Sequence, residues 1–238
     1  MNKIFKSSLL LLATLSLSAC MHEDTDDDDH MNGHDMATYK VTVFNLTSNQ
    51  PMTPPVALLH QSEYTLWSSG EKASVDLEKL AEGGDSSDIV TTAMASSYVA
   101  ATATSANAPF GPGASESLTL ETHSEDELYI SVATMLANTN DAFSGVSSVK
   151  VSHLMSGESI DMMAHAYDAG TEANSEQTGS IPGPADTNGE GFNATRETND
   201  YIRIHPGVVT QDDGLATSVL LESHRWLGPV AKIVIEKM

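Results

Sequence analysis

Asp168 and Glu172 stand four residues apart in the stretch HAYDAGTEANSE, His165 to Glu176, with Gly170 between them. Two carboxylates on one short bend can bind a hard cation, work as an acid and base pair, or sit in water as an acidic turn. Calcium takes six to eight oxygens, several of them from carboxylates, on loops able to bend. Glycine permits the tight turn that would aim both side chains at one point. A further acidic loop is needed, and LANTNDAFSG supplies Asp141 beside Asn138 and Asn140. Loops at one end of a β-sandwich converge, which would bring Asp141 to Asp168 and Glu172. Spacing alone favours the solvated turn, because 33 acidic residues make such pairs common.

Catalytic alternatives find little support. Paired carboxylates can hydrolyse glycosides, but no acid here is singled out as a proton donor. Aromatic residues, on which sugars stack, make up only 5% of the chain. GESID at Gly157–Asp161 is not a nucleophile elbow, since G-x-S-x-G is absent. The phosphate-loop, dinucleotide and H-E-x-x-H patterns are absent too. The sequence therefore reads as that of a protein without catalytic activity.

A second candidate metal set lies near the N-terminus, in MHEDTDDDDHMNGHDMA (residues 21–37). His22, His30 and His34, with neighbouring methionines and aspartates, offer ligands to copper or zinc. The same composition suits a solvated spacer, because it has too little apolar surface to order itself. His205, His153 and His165 read as structural or sheet-edge histidines, and Trp67 and Trp226 as core or edge anchors.

Charge limits the partners. The formal net charge is −22, which excludes nucleic acid, because a phosphate backbone needs a basic face. Divalent cations suit such a field. A hydrophobic fraction of 40% is enough for a packed core.

The elements that must carry these residues read mostly as strands. TYKVTVFNLT is a strand with Val41 and Val43 on one face and Phe44 and Leu46 on the other, buried on much of both. SNQPMTPPV is a proline-rich turn. SVDLEKLAEGG predicts a short helix capped by Ser74, with Leu77, Leu80 and Ala81 as its stripe and Gly83-Gly84 as its stop. DIVTTAMASSYVAATAT suggests a second helix, and APFGPGASES is a loop. SLTLET, ELYISVATML, SVKVSHL, YIRIHPGVV and KIVIEKM read as strands. The Gly-, Asn- and acid-rich region between Gly170 and Asp200 is either a functional loop or disorder. The expected fold is all-β: an antiparallel β-sandwich with one or two short helices in its connections.

Residues 1–19 read as a signal peptide, with Lys3 and Lys6 ahead of a short apolar run. Leu17-Ser18-Ala19-Cys20 resembles the lipobox of bacterial lipoproteins, in which the cysteine is lipidated and becomes the first residue. Cys20 is the only cysteine, so the mature chain holds no internal disulfide. Cleavage leaves 9 basic against 33 acidic residues, a charge of −24. Met21 follows the cysteine where inner-membrane lipoproteins carry aspartate, so the resemblance implies an outer-membrane lipoprotein. Residues 20–37 would be the lipidated tether and 38–238 the domain.

DELYISVATMLANTNDAFSGVSSVKV, AYDAGTEANSE with IPGP, and GPVAKIVIEKM, taken in order, resemble the spondin N-terminal domain. The opening YKVTVFNLTSNQPMTPPV resembles its bacterial members. The resemblance implies a C2-like β-sandwich related to secreted adhesion proteins, a bound calcium ion, and Asp141, Asp168 and Glu172 as its ligands. Glu172 stands where the family has aspartate. Phe143 stands near a tryptophan of the animal proteins, whose cysteines have no counterpart here. The implied function is a calcium-binding adhesion or binding module, anchored at the outer membrane and facing an extracellular protein, matrix or glycan partner. The alternative is a copper- or zinc-handling lipoprotein that acts through its tether.

Overall fold

The structure is a computed structural model that describes residues 36–124, 126–186, 188–196 and 200–238. Cys20, His22, His30 and His34, and with them the signal peptide and nearly all of the tether, lie outside the described residues. Among the described residues no helix is long and apolar enough to cross a membrane.

In chain order the strands are β1 (Ala37–Asn45), β2 (Val56–His60), β3 (Val99–Thr104), β4 (Ser115–Thr122), β5 (Tyr129–Met135), β6 (Ala142–Lys150), β7 (Ser159–Ala164), β8 (Ala166–Asp168), β9 (Arg203–Ile204) and β10 (Ala231–Lys237). They form a four-stranded sheet ordered β4-β1-β10-β7 and a six-stranded sheet ordered β3-β2-β5-β6-β8-β9. Every pairing is antiparallel. The expected all-β sandwich is the architecture observed.

Alternation places the core. In β1, Val41 and Val43 are fully buried while Lys40 is exposed and Thr42 and Phe44 are half-buried. Val41 pairs with Ile235 of β10 and Leu118 of β4, and all three point into the space between the sheets. Ala57, Leu59, Ile130 and Val132 enter that core from the other side. The outer face of β1 is therefore more open than the sequence suggested. Phe44 is covered there by the Lys232 ammonium, 6.0 Å from its ring centre, and Leu46 lies past the strand and is exposed.

A third layer covers the outer face of the six-stranded sheet. Helices α1 (Val75–Gly83) and α2 (Ser87–Met94) pack there through Leu77, Leu80, Ala81, Ile89 and Ala93. They meet Val56, Leu58, Ala133 and Phe143. Strand β2 is thus buried on both faces, which explains its unbroken apolar sequence VALL. Helix α1 follows its sequence signals. The Ser74 hydroxyl accepts from the Leu77 amide at 3.1 Å, and Gly84, at φ +72°, ends the helix by donating to Leu80.

Several boundaries differ from expectation. The second helix stops at Met94, and Val99–Thr104 is an edge strand paired with β2. The strand expected in SVKVSHL begins earlier, at Ala142, and Val151–Leu154 is a turn. Of YIRIHPGVV only Arg203–Ile204 pairs, because Pro206 has no amide to extend a ladder. The long region after β8 has no regular element among its described residues, yet it is packed: Ile181 is fully buried against Val208 and Leu220.

Candidate metal centre

The loop joining β5 to β6, Leu136 to Asp141, is buried from end to end. A buried polar loop must satisfy its own groups, and its asparagines and threonine do so. Asn138 accepts from the Ala185 amide at 2.9 Å and donates to the Asn49 carbonyl at 3.1 Å. Thr139 donates to the Leu136 carbonyl and accepts from the Ala142 amide, closing the turn on itself. Asn140 donates to the Ser180 carbonyl at 3.1 Å. These bonds fix the residue that ends the loop, Asp141.

Register then sets the second acid. Ala142 of β6 lies opposite Asp168 of β8, and the Ala169 amide donates to the Asp141 carbonyl at 3.2 Å. The chain leaves β8 through Gly170, whose φ is +77°. A Cβ at that position would stand 2.5 Å from the Tyr201 carbonyl oxygen, so only glycine fits. The bend folds the following residues back over Asp141. Its Oδ2 accepts from the Thr171 amide at 2.8 Å, the Glu172 amide at 3.1 Å and the Thr171 hydroxyl at 3.3 Å. The structure therefore brings the two predicted segments together at one end of the sandwich, as the convergence of loops required.

The three predicted residues are not equivalent. Asp168 is fully buried and well satisfied. Its Oδ1 accepts from the Gly170 amide, and its Oδ2 accepts from Asn174 and from the Arg203 guanidinium, each of the three at 2.7 Å. Asp141 is fully buried, and its Oδ1 has no partner. Burial, followed by the nearby charge of Asp168, pushes its carboxyl up to about 7. Glu172 is half-buried. Burial, then the charges of Glu82, Asp141 and Glu190, push its carboxyl up to about 8. Desolvation of a carboxylate, with like charges beside it, produces such shifts.

Glu82 and Arg203 join the site although the sequence reading named neither. Glu82 sits at the end of α1, fully buried, and its Oε2 accepts from the Asn193 amide at 2.7 Å. Burial raises its carboxyl above the usual range. An acid on an amphipathic helix ordinarily faces water. Here the third layer folds it inward, and the only signal in the sequence was the Glu78–Glu82 spacing beside the apolar stripe.

The donor set is oxygen only: carboxylates, threonine and asparagine. Such a set suits calcium or magnesium over copper or zinc. The unpartnered Asp141 Oδ1 fits a cation that the loops would gather around. Among the described residues, however, no group of three or more His, Cys, Asp or Glu side chains is drawn together as a ready cage. Arg203 and Asn174 hold one oxygen of Asp168 that a cation would use.

The remaining predicted residues fall elsewhere. His205 is buried with its ring 5.2 Å from Trp226. Its Nδ1 accepts from the Gly207 amide at 3.0 Å, so the proton belongs on Nε2. Burial depresses its pKa to about 4, and it serves as neutral packing. His153 and His165 are exposed. Trp67 is a core residue, tilted 4.6 Å from Tyr167 and edge-on to Phe143 at 5.2 Å.

No curated protein matches this chain. A family model described as Spondin_N matches residues 45–185, a span that runs from the end of β1 through Asp141, Asp168 and Glu172. More than half of the chain lies within that match, and the chain belongs to the Spondin_N family.

Proposed function

We propose that this Spondin_N protein is a calcium-binding adhesion or binding module of the bacterial cell envelope, held at the outer membrane through a lipid on Cys20. The reading rests chiefly on one observation: the fully buried Asp141 leaves one carboxylate oxygen without a partner, among other acids that repel it. A buried carboxylate in that state is costly, and a divalent cation bound there would supply the missing positive charge. Asp141, Asp168 and Glu172 would hold it.

The chain's own residues define what the ion would do. Asp141 already gathers the Thr171 and Glu172 amides, and Asn140 ties the same loop to Ser180. Neutralising Asp141 and Glu172 removes the repulsion that opposes this arrangement, so the loops stiffen as one surface. A stiff loop surface at the end of a sandwich suits recognition of an extracellular protein, matrix component or glycan. The Spondin_N family is not one of known enzymes, and the proposed role involves no catalysis.

Thermal melts in EGTA, then in calcium, magnesium or zinc, test the reading on the wild type and on Asp168→Asn. A ligand at a hundred times its Kd that binds only the folded state adds about 2.7 kcal/mol. A calcium-selective rise, lost in Asp168→Asn, is the expected result. No rise with any metal would return DAGTE to an acidic turn.

A further inference from the structure

Glu82 lies outside the ligand set that the family resemblance implies, and it comes from a different layer of the molecule. Its residue is fully buried, and its Oε1 has no hydrogen-bond partner. Protonation does not resolve this, because the Thr171 hydroxyl that lies near Glu82 is off hydrogen-bond geometry. Nor does a nearby base. Among the described residues Glu82 has no ion pair. The Arg196 guanidinium is committed to Glu78, Asp200 and the Ala73 carbonyl, and Lys79 is paired with Asp88.

Geometry ties Glu82 to the carboxylates of the β-loops. Thr171, between Asp168 and Glu172 in sequence, bonds Asp141 Oδ2 through both its amide and its hydroxyl. The same hydroxyl lies close enough to Glu82 to favour its charged form, although it does not meet hydrogen-bond geometry there. Glu82 and Asp141 are each fully buried with one unpartnered oxygen, and the Thr171 side chain acts on both. The charge of Glu82 is felt by both Asp141 and Glu172.

We propose that Glu82 is a fourth carboxylate of the cation site, supplied by α1, so that the bound ion joins the helical layer to the β5–β6 and β8 loops. This rests on the calcium reading above. The consequence is specific: the ion would clamp α1 down on the six-stranded sheet as well as order the loops.

Isothermal calorimetry with calcium chloride tests the proposal on the whole purified protein, as wild type, Glu82→Gln and Glu78→Gln, with Asp168→Asn as the background for acidic sites elsewhere. The expected result is a Kd at least tenfold weaker in Glu82→Gln, while Glu78→Gln stays within about twofold of wild type. In EGTA, Glu82→Gln should melt no lower than wild type, because it removes an unpaired buried charge. If Glu82→Gln does not fold, Glu82→Asp carries the test, since it keeps the charge and withdraws it by one methylene. A several-fold loss of affinity in that variant supports the proposal. Wild-type affinity in the folded Glu82 variant overturns it and leaves the three-carboxylate reading standing. A wild-type protein that takes up no calcium overturns both.

Discussion

Asp141 and Asp168 sit one residue out of register across the β6–β8 ladder, with Ala142 directly opposite Asp168 and the Ala169 amide on the Asp141 carbonyl. Two acids from segments 27 positions apart in sequence are thereby fixed by backbone pairing and not by side-chain choice. Asp141→Asn keeps an oxygen for the Thr171 and Glu172 amides and removes the charge. It should leave the ion-free melting temperature unchanged or higher and abolish the calcium shift. Asp141→Ala strands those amides, a buried-donor cost of about 1–3 kcal/mol each, and should melt lower in EGTA. Paired melts of the two variants check this.

The raised carboxyls of Asp141, Glu172 and Glu176, at about 7, 8 and 7, make a pH prediction. Burial is the first cause in each. Unfolded carboxylates titrate near pH 4, so the folded ion-free protein binds protons more tightly than the unfolded chain. That stability is fully present below about pH 4 and is lost as pH rises through 7 to 8. Urea midpoints in EGTA should fall between pH 5.5 and 8.5, and calcium should narrow the gap. A midpoint in EGTA that does not fall would contradict the arrangement of charges.

Arg203 is a built-in counter-ion for Asp168. Arg203→Gln should lower ion-free stability by about 2 kcal/mol, the loss of a hydrogen bond between charged partners. It should also tighten calcium binding, because a competing positive charge leaves the Asp168 carboxylate. Calorimetry and melts on one variant should therefore move in opposite directions.

Gly170→Ala forces a side chain into φ +77° and onto the Tyr201 backbone. Strain of about 1–3 kcal/mol is expected, together with weaker calcium binding, since the bend sets both Asp168 and the Thr171 amide. A loss of stability with calcium affinity intact would separate the turn from the site.

Cys20→Ser should move the protein from the membrane fraction to the soluble fraction of cells without changing the melt of the folded domain. Incorporation of labelled palmitate, present in wild type and absent in the variant, gives the direct reading.

What the sequence disclosed depended on how many faces of an element are dry. Helix α1 was legible because its cap, stripe and stop agree locally, from Ser74 to Gly84. Strand β2 was hidden, since burial on both faces erases the alternation that marks a strand, and Pro54 and Pro55 led into it as a turn. Strand β3 was hidden because its sequence, VAATAT, runs on from the helical DIVTTAM without a proline or glycine, and only its pairing with β2 decides the matter. Asp141, Asp168 and Glu172 were found through motif resemblance, and the ladder brings their segments together. Glu82 was illegible because its burial is a property of the third layer, which no local pattern encodes.

The placement of β1 gives the molecule a mechanical character. It lies between β4 and β10, bonded along its length on both sides. Its far end, at Asn45, leads to Asn49 and Gln50, which bond Asn138 in the loop of Asp141. The loop of Asp141 and the point where the chain enters β1 are therefore at opposite ends of a nine-residue strand, about 30 Å apart. A pull between a partner seated at the loop end and the segment preceding Ala37 would load β1 in shear. Two antiparallel ladders would then have to yield together, whereas a peeled edge strand releases one bond at a time.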